Sequence, residues 1–97
     1  REPWRVQGPV GMSAMSFGAL GENAISAISL GLGKATGSWV HTGEGGLAKY
    51  HTVGGGDVIM QIGSGLFGVR TEDGKFSPEK FKEKANNPQV KMFEIKL

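Results

Sequence analysis

Polar side chains stand near the point where each of four predicted strands ends in this sequence. The first strand ends at Met15 and Ser16, Glu44 follows the second, Gln61 lies near the end of the third, and Lys96 lies near the end of the fourth. Ligands of parallel α/β sheets and barrels bind at the carboxyl ends of the strands, because loops and side chains converge there. We therefore expect these residues to share one rim and to form a binding site.

Gln61 is the most constrained of these residues. It follows three apolar residues, so a side-chain amide without a partner would lose about 1–3 kcal/mol there. The amide either bonds neighbouring backbone or contacts a flat ligand with matched donors and acceptors. Both interpretations imply a fixed geometry.

A glycine motif after the third strand does not predict a dinucleotide site. Residues 63–68 match G-x-G-x-x-G. The motif binds a phosphate only when a helix follows it directly, and residues 70–74 do not begin a helix. The glycines are better explained as turn residues.

Metal and hydrolytic sites are not predicted either. His41, Glu44 and His51 do not have the spacing of a common metal site, and His51 is interpreted as a loop residue. Ser16, His41 and Asp57 lack the sequence context of a nucleophile elbow. Any chemistry of this chain is therefore expected from the residues at the strand ends, which we call the rim residues: Met15, Ser16, Glu44, Gln61 and Lys96.

The elements that position these residues can be predicted from periodicity. Apolar residues three and four positions apart predict a helix over residues 22–32, and Gly33 is a natural stop. Ser77 predicts the cap of a second helix, with Phe76 and Phe81 placed to form a hydrophobic staple. Strands are predicted over residues 9–15, 38–42, 57–62 and 90–97.

The predicted strands form a parallel sheet. Connections of a dozen or more residues separate them, as parallel pairing requires. In the last strand, Met92, Glu94 and Lys96 share one face, while the other face is purely apolar. A barrel with a polar mouth and helices outside would produce this division, and a structural Glu94–Lys96 ion pair is the alternative.

Length and composition indicate one domain or part of one. Of 97 residues, 17 are glycine, and their clusters predict tight turns or backbone close to a ligand. Eleven basic and nine acidic residues give a net charge of +2, and acids rather than aromatics accompany the lysines, so no nucleic-acid partner is expected. The lack of cysteine excludes disulfides and thiolate or iron–sulfur ligation within this chain and fits a cytoplasmic protein. No apolar run approaches roughly 18 residues, so no membrane partner is expected.

Four segments resemble, in this order, the FMN-binding central domain of glutamate synthases. They are residues 11–20 (GMSAMSFGAL), 42–46 (TGEGG), 61–69 (QIGSGLFGV) and 94–97 (EIKL). The resemblance runs from about residue 9 to the end. It implies an α/β fold in which residues 1–97 are a partial FMN-binding domain: the first half, about four parallel strands, of an incomplete (β/α)8 TIM barrel.

The resemblance also implies a reaction. Enzymes of this family combine 2-oxoglutarate with ammonia, free or derived from glutamine, and reduce the resulting 2-iminoglutarate to glutamate by hydride transfer from flavin N5. The 97-residue chain alone is expected to be catalytically incompetent and to need the remainder of the barrel or another chain. An iron–sulfur cluster in the parent enzyme would take its ligands from elsewhere.

Roles for the rim residues follow from the same resemblance. Met15 and Ser16 would lie against the isoalloxazine ring, and Gln61 would hydrogen-bond its pyrimidine edge. Lys96 would lie near flavin N1 and C2=O or the substrate carboxylate, where a cation stabilises the negative charge of reduced flavin. Glu44 would handle the proton of ammonium or of the imine. Catalytic roles are therefore expected for Glu44 and Lys96.

Two residues depart from the family pattern. His41 stands where asparagine usually precedes Thr-Gly-Glu-Gly-Gly, which keeps open a related barrel that joins a different amine, such as N-methylglutamate synthase. Gly21 replaces the usual serine helix cap, at an expected cost of a few tenths of a kcal/mol. Exposed strand edges keep open a third alternative, a non-catalytic assembly subunit that completes a barrel with a partner chain.

Overall fold

The computed structural model describes residues 2–6, 8–35 and 38–97. Within these residues, three strands form one parallel sheet in the order β1-β2-β3, with two α-helices beside it. The elements are α1 (Phe17–Lys34), β1 (Trp39–His41), β2 (Asp57–Ile62), α2 (Pro78–Ala85) and β3 (Val90–Ile95). The chain is thus a small α/β fold, and its parallel strands are consistent with part of a barrel.

The predicted strand over residues 9–15 is wrong. A single backbone hydrogen bond, from Met12 N to Trp39 O at 3.1 Å, joins this segment to the edge of β1. Pro9 has no N–H to donate, which removes one possible ladder bond from this segment. Gly11 lies directly against the Trp39 indole, where an added Cβ would come within 2.1 Å of the ring. The segment is an irregular stretch of chain that packs beside β1. The described sheet therefore has three strands where about four were expected.

Helix α1 consists of two segments separated at Gly21. The Ser16 hydroxyl caps the first turn by accepting the Ala19 N–H at 3.2 Å. Gly21 then has φ +83° and ψ 175°, a conformation that is essentially restricted to glycine and strains other residues by about 1–3 kcal/mol. The helix resumes at Glu22, the residue where the sequence predicts a start. At this φ glycine is favoured over serine, so the expected penalty for the missing serine cap does not apply.

One face of the sheet packs against the helices and forms the core. Ile25 of α1 clusters with apolar side chains of all three strands, all of them buried: Val40, Val58, Met60, Ile62 and Val90. Burial of side chains of this size stabilises the fold by about 1.5–3 kcal/mol each. The parallel register Val40–Val58–Val90 places these side chains side by side.

Helix α2 begins and packs as predicted. The Ser77 hydroxyl accepts the Lys80 N–H at 3.2 Å, with Pro78 at the first helical position. The centroids of the Phe76 and Phe81 rings are 5.9 Å apart, which confirms the staple. The Phe81 ring also packs on Phe93 of β3, with 4.6 Å between the ring centroids. Helix α2 thus contacts the apolar face of β3 at Phe93, while Ile95 and Leu97 on the same face remain exposed.

The connection from β1 to β2 has little regular structure. It contains two short 3₁₀ turns, Gly43–Gly45 and Lys49–His51. The second turn lies against α1, where the Ser29 hydroxyl donates to His51 O at 2.9 Å and accepts from Gly54 N at 3.2 Å. These bonds fasten the glycine-rich loop to the helix.

Candidate ligand-binding cleft

The carboxyl ends of the strands meet at a cleft of about 540 Å³. All five residues that the sequence proposed for the site line it: Met15, Ser16, Glu44, Gln61 and Lys96. Ala14, Ala19, Leu20 and Gly43 complete the wall. The common rim expected from the sequence is therefore present, although the roles of its residues stay predictions.

Two glycines allow the loops of the cleft to approach each other. A Cβ on Gly43 would lie 2.7 Å from Ser16 N. A Cβ on Gly63 would lie 2.9 Å from the Glu44 Cβ. Both distances are too short for real side chains, so glycine at these positions brings Ser16 and Glu44 into the same wall.

Glu44 and Lys96 form an ion pair across the cleft. The Lys96 ammonium donates to Glu44 Oε2, although the two residues are 52 positions apart. Their side chains remain 41% and 57% exposed, so the pair is open to solvent and to a ligand. The end of β2 fixes the backbone of Lys96 at the rim of the cleft, because the Lys96 N–H donates to Ile62 O at 3.0 Å.

Gln61 is bonded by side chains on both sides. Its backbone N–H donates to the Thr42 hydroxyl at 3.1 Å. Its side-chain amide donates to Glu94 Oε1 on the neighbouring strand. The partner of the amide is thus a carboxylate, and neither interpretation drawn from the sequence included it.

Glu94 accepts a hydrogen bond from Gln61 and lies beside His41 rather than Lys96. His41 Nε2 lies 3.3 Å from Glu94 Oε1, and the His41 side chain is only 6% exposed. Among the described residues, Glu94 pairs with His41 and Lys96 pairs with Glu44, and the two do not pair with each other. The alternative of a Glu94–Lys96 pair is therefore wrong.

His41 is not one of the described residues that line the cleft. It is buried, and its Nδ1 accepts the Gly43 N–H at 3.0 Å. The departure from the family's asparagine thus lies behind the wall, where it reaches the cleft through Glu94. The sequence predicted no contact between His41 and Glu94; the parallel register, which puts His41 on the same face as Gln61 and Glu94, produces it.

His51 is a fully buried histidine in the loop. Its Nδ1 accepts the Ala48 N–H at 2.9 Å, and its Nε2 is buried without a hydrogen-bond partner among the described residues. Burial lowers the pKa of His51 below 6.5, because desolvation disfavours the charged ring. The loop assignment is confirmed, but a neutral core histidine was not anticipated.

The cleft combines an apolar wall with a few polar groups. Met15, Ala19 and Leu20 supply the apolar surface, while Gln61, Glu44 and Lys96 supply an amide, an acid and a cation. Such a mixture suits a flat organic ligand that carries a polar edge. No three histidine, aspartate or glutamate side chains of the described residues are grouped so that they could hold a metal ion.

A parallel α/β sheet whose strand ends surround one cleft has the arrangement in which α/β proteins commonly bind ligands. Comparison with known proteins identifies the group. The family model described as the conserved region in glutamate synthase matches residues 1–97. The chain belongs to the glutamate synthase family.

Curated relatives agree with this assignment. The chain is 57% identical over 96 residues, 99% of its length, to the glutamate synthase large subunit-like protein YerD of Bacillus subtilis (strain 168). It is 37% identical over 68 residues, 70% of its length, to the archaeal glutamate synthase (NADPH) of Archaeoglobus fulgidus. An archaeal-type glutamate synthase (NADPH) of Thermotoga sp. (strain RQ2) is 35% identical over 68 residues, again 70% of the chain.

The chain spans a small part of these relatives. It covers 18% of the Bacillus protein and 13% of each of the other two. No solved structure matches the chain significantly. Among the described residues, neither helix is long and apolar enough to cross a membrane.

Proposed function

We propose that this chain forms part of the FMN-binding domain of a glutamate-synthase-type oxidoreductase. The observation that carries the proposal is the meeting of Ser16, Glu44, Gln61 and Lys96 around one cleft, in a chain that belongs to this family. Residues 1–97 would then be a portion of a (β/α)8 barrel, with β1, β2 and β3 as neighbouring barrel strands. The parallel register of all three strands supports this arrangement.

The chemistry of the cleft fits an isoalloxazine ring. Met15 and Leu20 offer apolar contact for the ring, and Gln61 offers an amide for its polar edge. Lys96 supplies a positive charge at the same wall. FMN, when bound, supplies a site that exchanges hydride with the substrate.

Lys96 would stabilise negative charge. A positioned cation is among the strongest devices for stabilising charge that develops in a reaction, particularly where water is excluded. At the cleft, Lys96 can serve either the pyrimidine edge of the ring or a carboxylate of 2-oxoglutarate. Its hydrogen-bonded position beyond the end of β3 keeps the ammonium at the rim.

Glu44 would hold or move a proton at its carboxylate. The loop that carries it is fixed by Gly43 and Gly63, so the side chain stands at the wall of the cleft. Ammonia, free or released from glutamine, must lose protons as it joins the 2-oxo group, and a carboxylate at the wall of the cleft is placed to accept one. A methylamine substrate would require the same proton transfer, so the N-methylglutamate alternative shares this step.

Titration with FMN tests the proposal. The intact protein that carries these residues is expected to bind FMN with a shift in the visible flavin spectrum. A polypeptide of the 97 residues alone is expected to bind weakly and to lack turnover, because a complete barrel takes roughly 250 residues. An intact protein that fails to bind FMN would refute the assignment.

Two substitutions then separate the proposed roles. Lys96→Met should slow reduction of the bound flavin, and Glu44→Gln should impair amination, each by about 10²-fold in kcat/KM. Glu72→Gln, at an exposed position of a remote turn, is the matched control and should retain activity. Normal turnover with ammonia in both site variants would mean that these roles are wrong.

A second candidate function is supported by an apolar groove beside β3. Phe76, Phe81, Ile95 and Leu97 line it, and its volume is about 440 Å³. Ile95 and Leu97 are largely exposed, and β3 pairs on one side with β2. A non-catalytic subunit that completes a barrel with a partner chain would cover this groove; gel filtration with mass determination tests it, since a well-folded monomer argues against the docking role.

A further inference from the structure

The direction of one hydrogen-bond chain behind the cleft is determined by a backbone N–H. Gly43 N lies 3.0 Å from His41 Nδ1. A backbone N–H can only donate, so Nδ1 must be the acceptor and carries no proton. The ring is then neutral with its proton on Nε2, the nitrogen that lies 3.3 Å from Glu94 Oε1. The Nε2–H group is therefore the polar group of His41 that lies beside the Glu94 carboxylate.

The orientation of the Gln61 amide follows from Glu94. An ionised carboxylate accepts hydrogen bonds and does not donate them. The Gln61 atom that contacts Glu94 Oε1 must therefore be the amide nitrogen, as the structure has it. Gln61 donates to this carboxylate oxygen, and His41 Nε2 lies 3.3 Å from the same oxygen. The amide is held from a second strand and cannot turn over without losing this bond.

The other end of the amide remains available. Gln61 lines the cleft. Its carbonyl oxygen makes no hydrogen bond recorded among the described residues, and it is not among their fully buried unpartnered atoms. This oxygen is an acceptor with two lone pairs, so it matches a ligand group that donates.

We propose that Glu94 and His41 are positioning residues that hold the Gln61 amide with its carbonyl oxygen toward the ligand, so that the cleft selects a ring edge carrying an N–H at this point. The inference rests on the proposed function for the identity of the ring. The pyrimidine part of the isoalloxazine carries such a donor, the imide N3–H, between two carbonyl groups. A ring with a methyl group on this nitrogen has nothing to donate.

Binding of two flavins tests the inference. The probes are FMN and N3-methyl-FMN, and the protein is the intact one that carries these residues. The parent should bind FMN at least about 10-fold more tightly than the N3-methyl compound, because the methyl compound leaves the Gln61 oxygen unpaired. In Glu94→Gln, the amide can turn over, so FMN should bind about 10-fold more weakly while N3-methyl-FMN changes little.

A steric effect of the methyl group is separated by the ratio of the two dissociation constants. Glu94→Gln leaves the space around the ring unchanged, so a purely steric preference would keep the ratio of the parent. Glu72→Gln should also keep that ratio, and thermal melting of all variants checks folding. An unchanged ratio in Glu94→Gln overturns the positioning role, whereas absence of FMN binding by the parent refutes the proposed function and the ligand edge with it.

A measurement without flavin tests the hydrogen-bond chain itself. In protein labelled with ¹⁵N-histidine, the His41 resonances, assigned by their loss in His41→Asn, should report a neutral ring protonated at Nε2. A ring protonated at Nδ1, or at both nitrogens near neutral pH, would overturn the inference whatever the flavins do. In uniformly ¹⁵N-labelled protein, the side-chain amide signals of Gln61 should also shift in Glu94→Gln and stay in place in Glu72→Gln.

Discussion

His51 shows how one side chain can make the stability of this fold depend on pH. Its ring is buried, and burial lowers its pKa below 6.5. In the unfolded chain the ring takes up a proton near pH 6.5, while the folded chain resists protonation to a lower pH. The unfolded state therefore binds more protons in this window, and stability must fall as the pH falls through it.

This dependence can be measured with one variant. The parent should lose stability between about pH 7 and pH 5. His51→Gln keeps an acceptor for the Ala48 N–H and removes the titrating ring, so it should flatten that part of the profile. Urea unfolding at several pH values provides the comparison, and an equal slope in both proteins would contradict the role of His51.

The Glu94 network illustrates what spacing along the chain cannot predict. Strand alternation divides each strand into two faces, and the register puts His41, Gln61 and Glu94 on the same face of the sheet. Which of them bond depends on the register of strands up to 53 residues apart, since His41 and Glu94 belong to β1 and β3. The ion pair of Glu44 with Lys96 has the same origin, whereas the sequence suggested Glu94 as the partner.

At the scale of elements, α1 and the glycine-rich loop pack at backbone distance. A Cβ on Gly33 would lie 1.9 Å from Gly54 O. Gly31, two residues earlier in the same helix, has open space where its Cβ would be. Gly33 is therefore required by close packing, whereas Gly31 is not, and Gly31 can serve as the control for a substitution at Gly33.

Substitution by alanine should separate the two glycines. Gly33→Ala should destabilise the protein by about 1–3 kcal/mol, because the loop must move away from the helix. Gly31→Ala should stabilise it by about 0.5–1 kcal/mol, since alanine restricts the unfolded chain and suits a helix. Chemical denaturation measures both, and a stabilising Gly33→Ala would show that this contact is looser than described.

Elements with local signals were predicted well. β2 has the predicted bounds because an apolar run lies between turn residues, and α2 starts at Ser77 because cap and staple are encoded within six residues. The segment over residues 9–15 has the composition of a strand, yet strand formation depends on a partner edge that only the fold supplies. Its residues contact the Trp39 side chain instead of continuing a ladder.

At the scale of the whole molecule, the N-terminal segment is tied to the start of β2. The Trp4 indole N–H donates to Asp57 Oδ2 at 2.9 Å, across 53 residues of sequence. Asp57 precedes the buried part of β2, so the bond lies at the end of the sheet opposite the cleft. Together with Met12 at the edge of β1, it holds the first residues along the sheet.

A double-mutant cycle measures this tie. Trp4→Phe keeps most of the ring and removes the donor, and Asp57→Ala removes the acceptor. Each should destabilise the protein, with a coupling of about 0.5–1.5 kcal/mol between them. Thermal unfolding of the four proteins gives the coupling, and purely additive effects would mean that the bond contributes nothing to stability.

The pairing of Lys96 with Glu44 links two events at the cleft. The ammonium and the carboxylate neutralise each other's charge within the cleft, where a ligand can reach both of them. An anionic ligand that attracts the ammonium must therefore release the carboxylate, which becomes a free proton acceptor at that moment. Binding of a negatively charged ligand by Lys96 and release of the Glu44 carboxylate as a proton acceptor would then occur in a single exchange of partners.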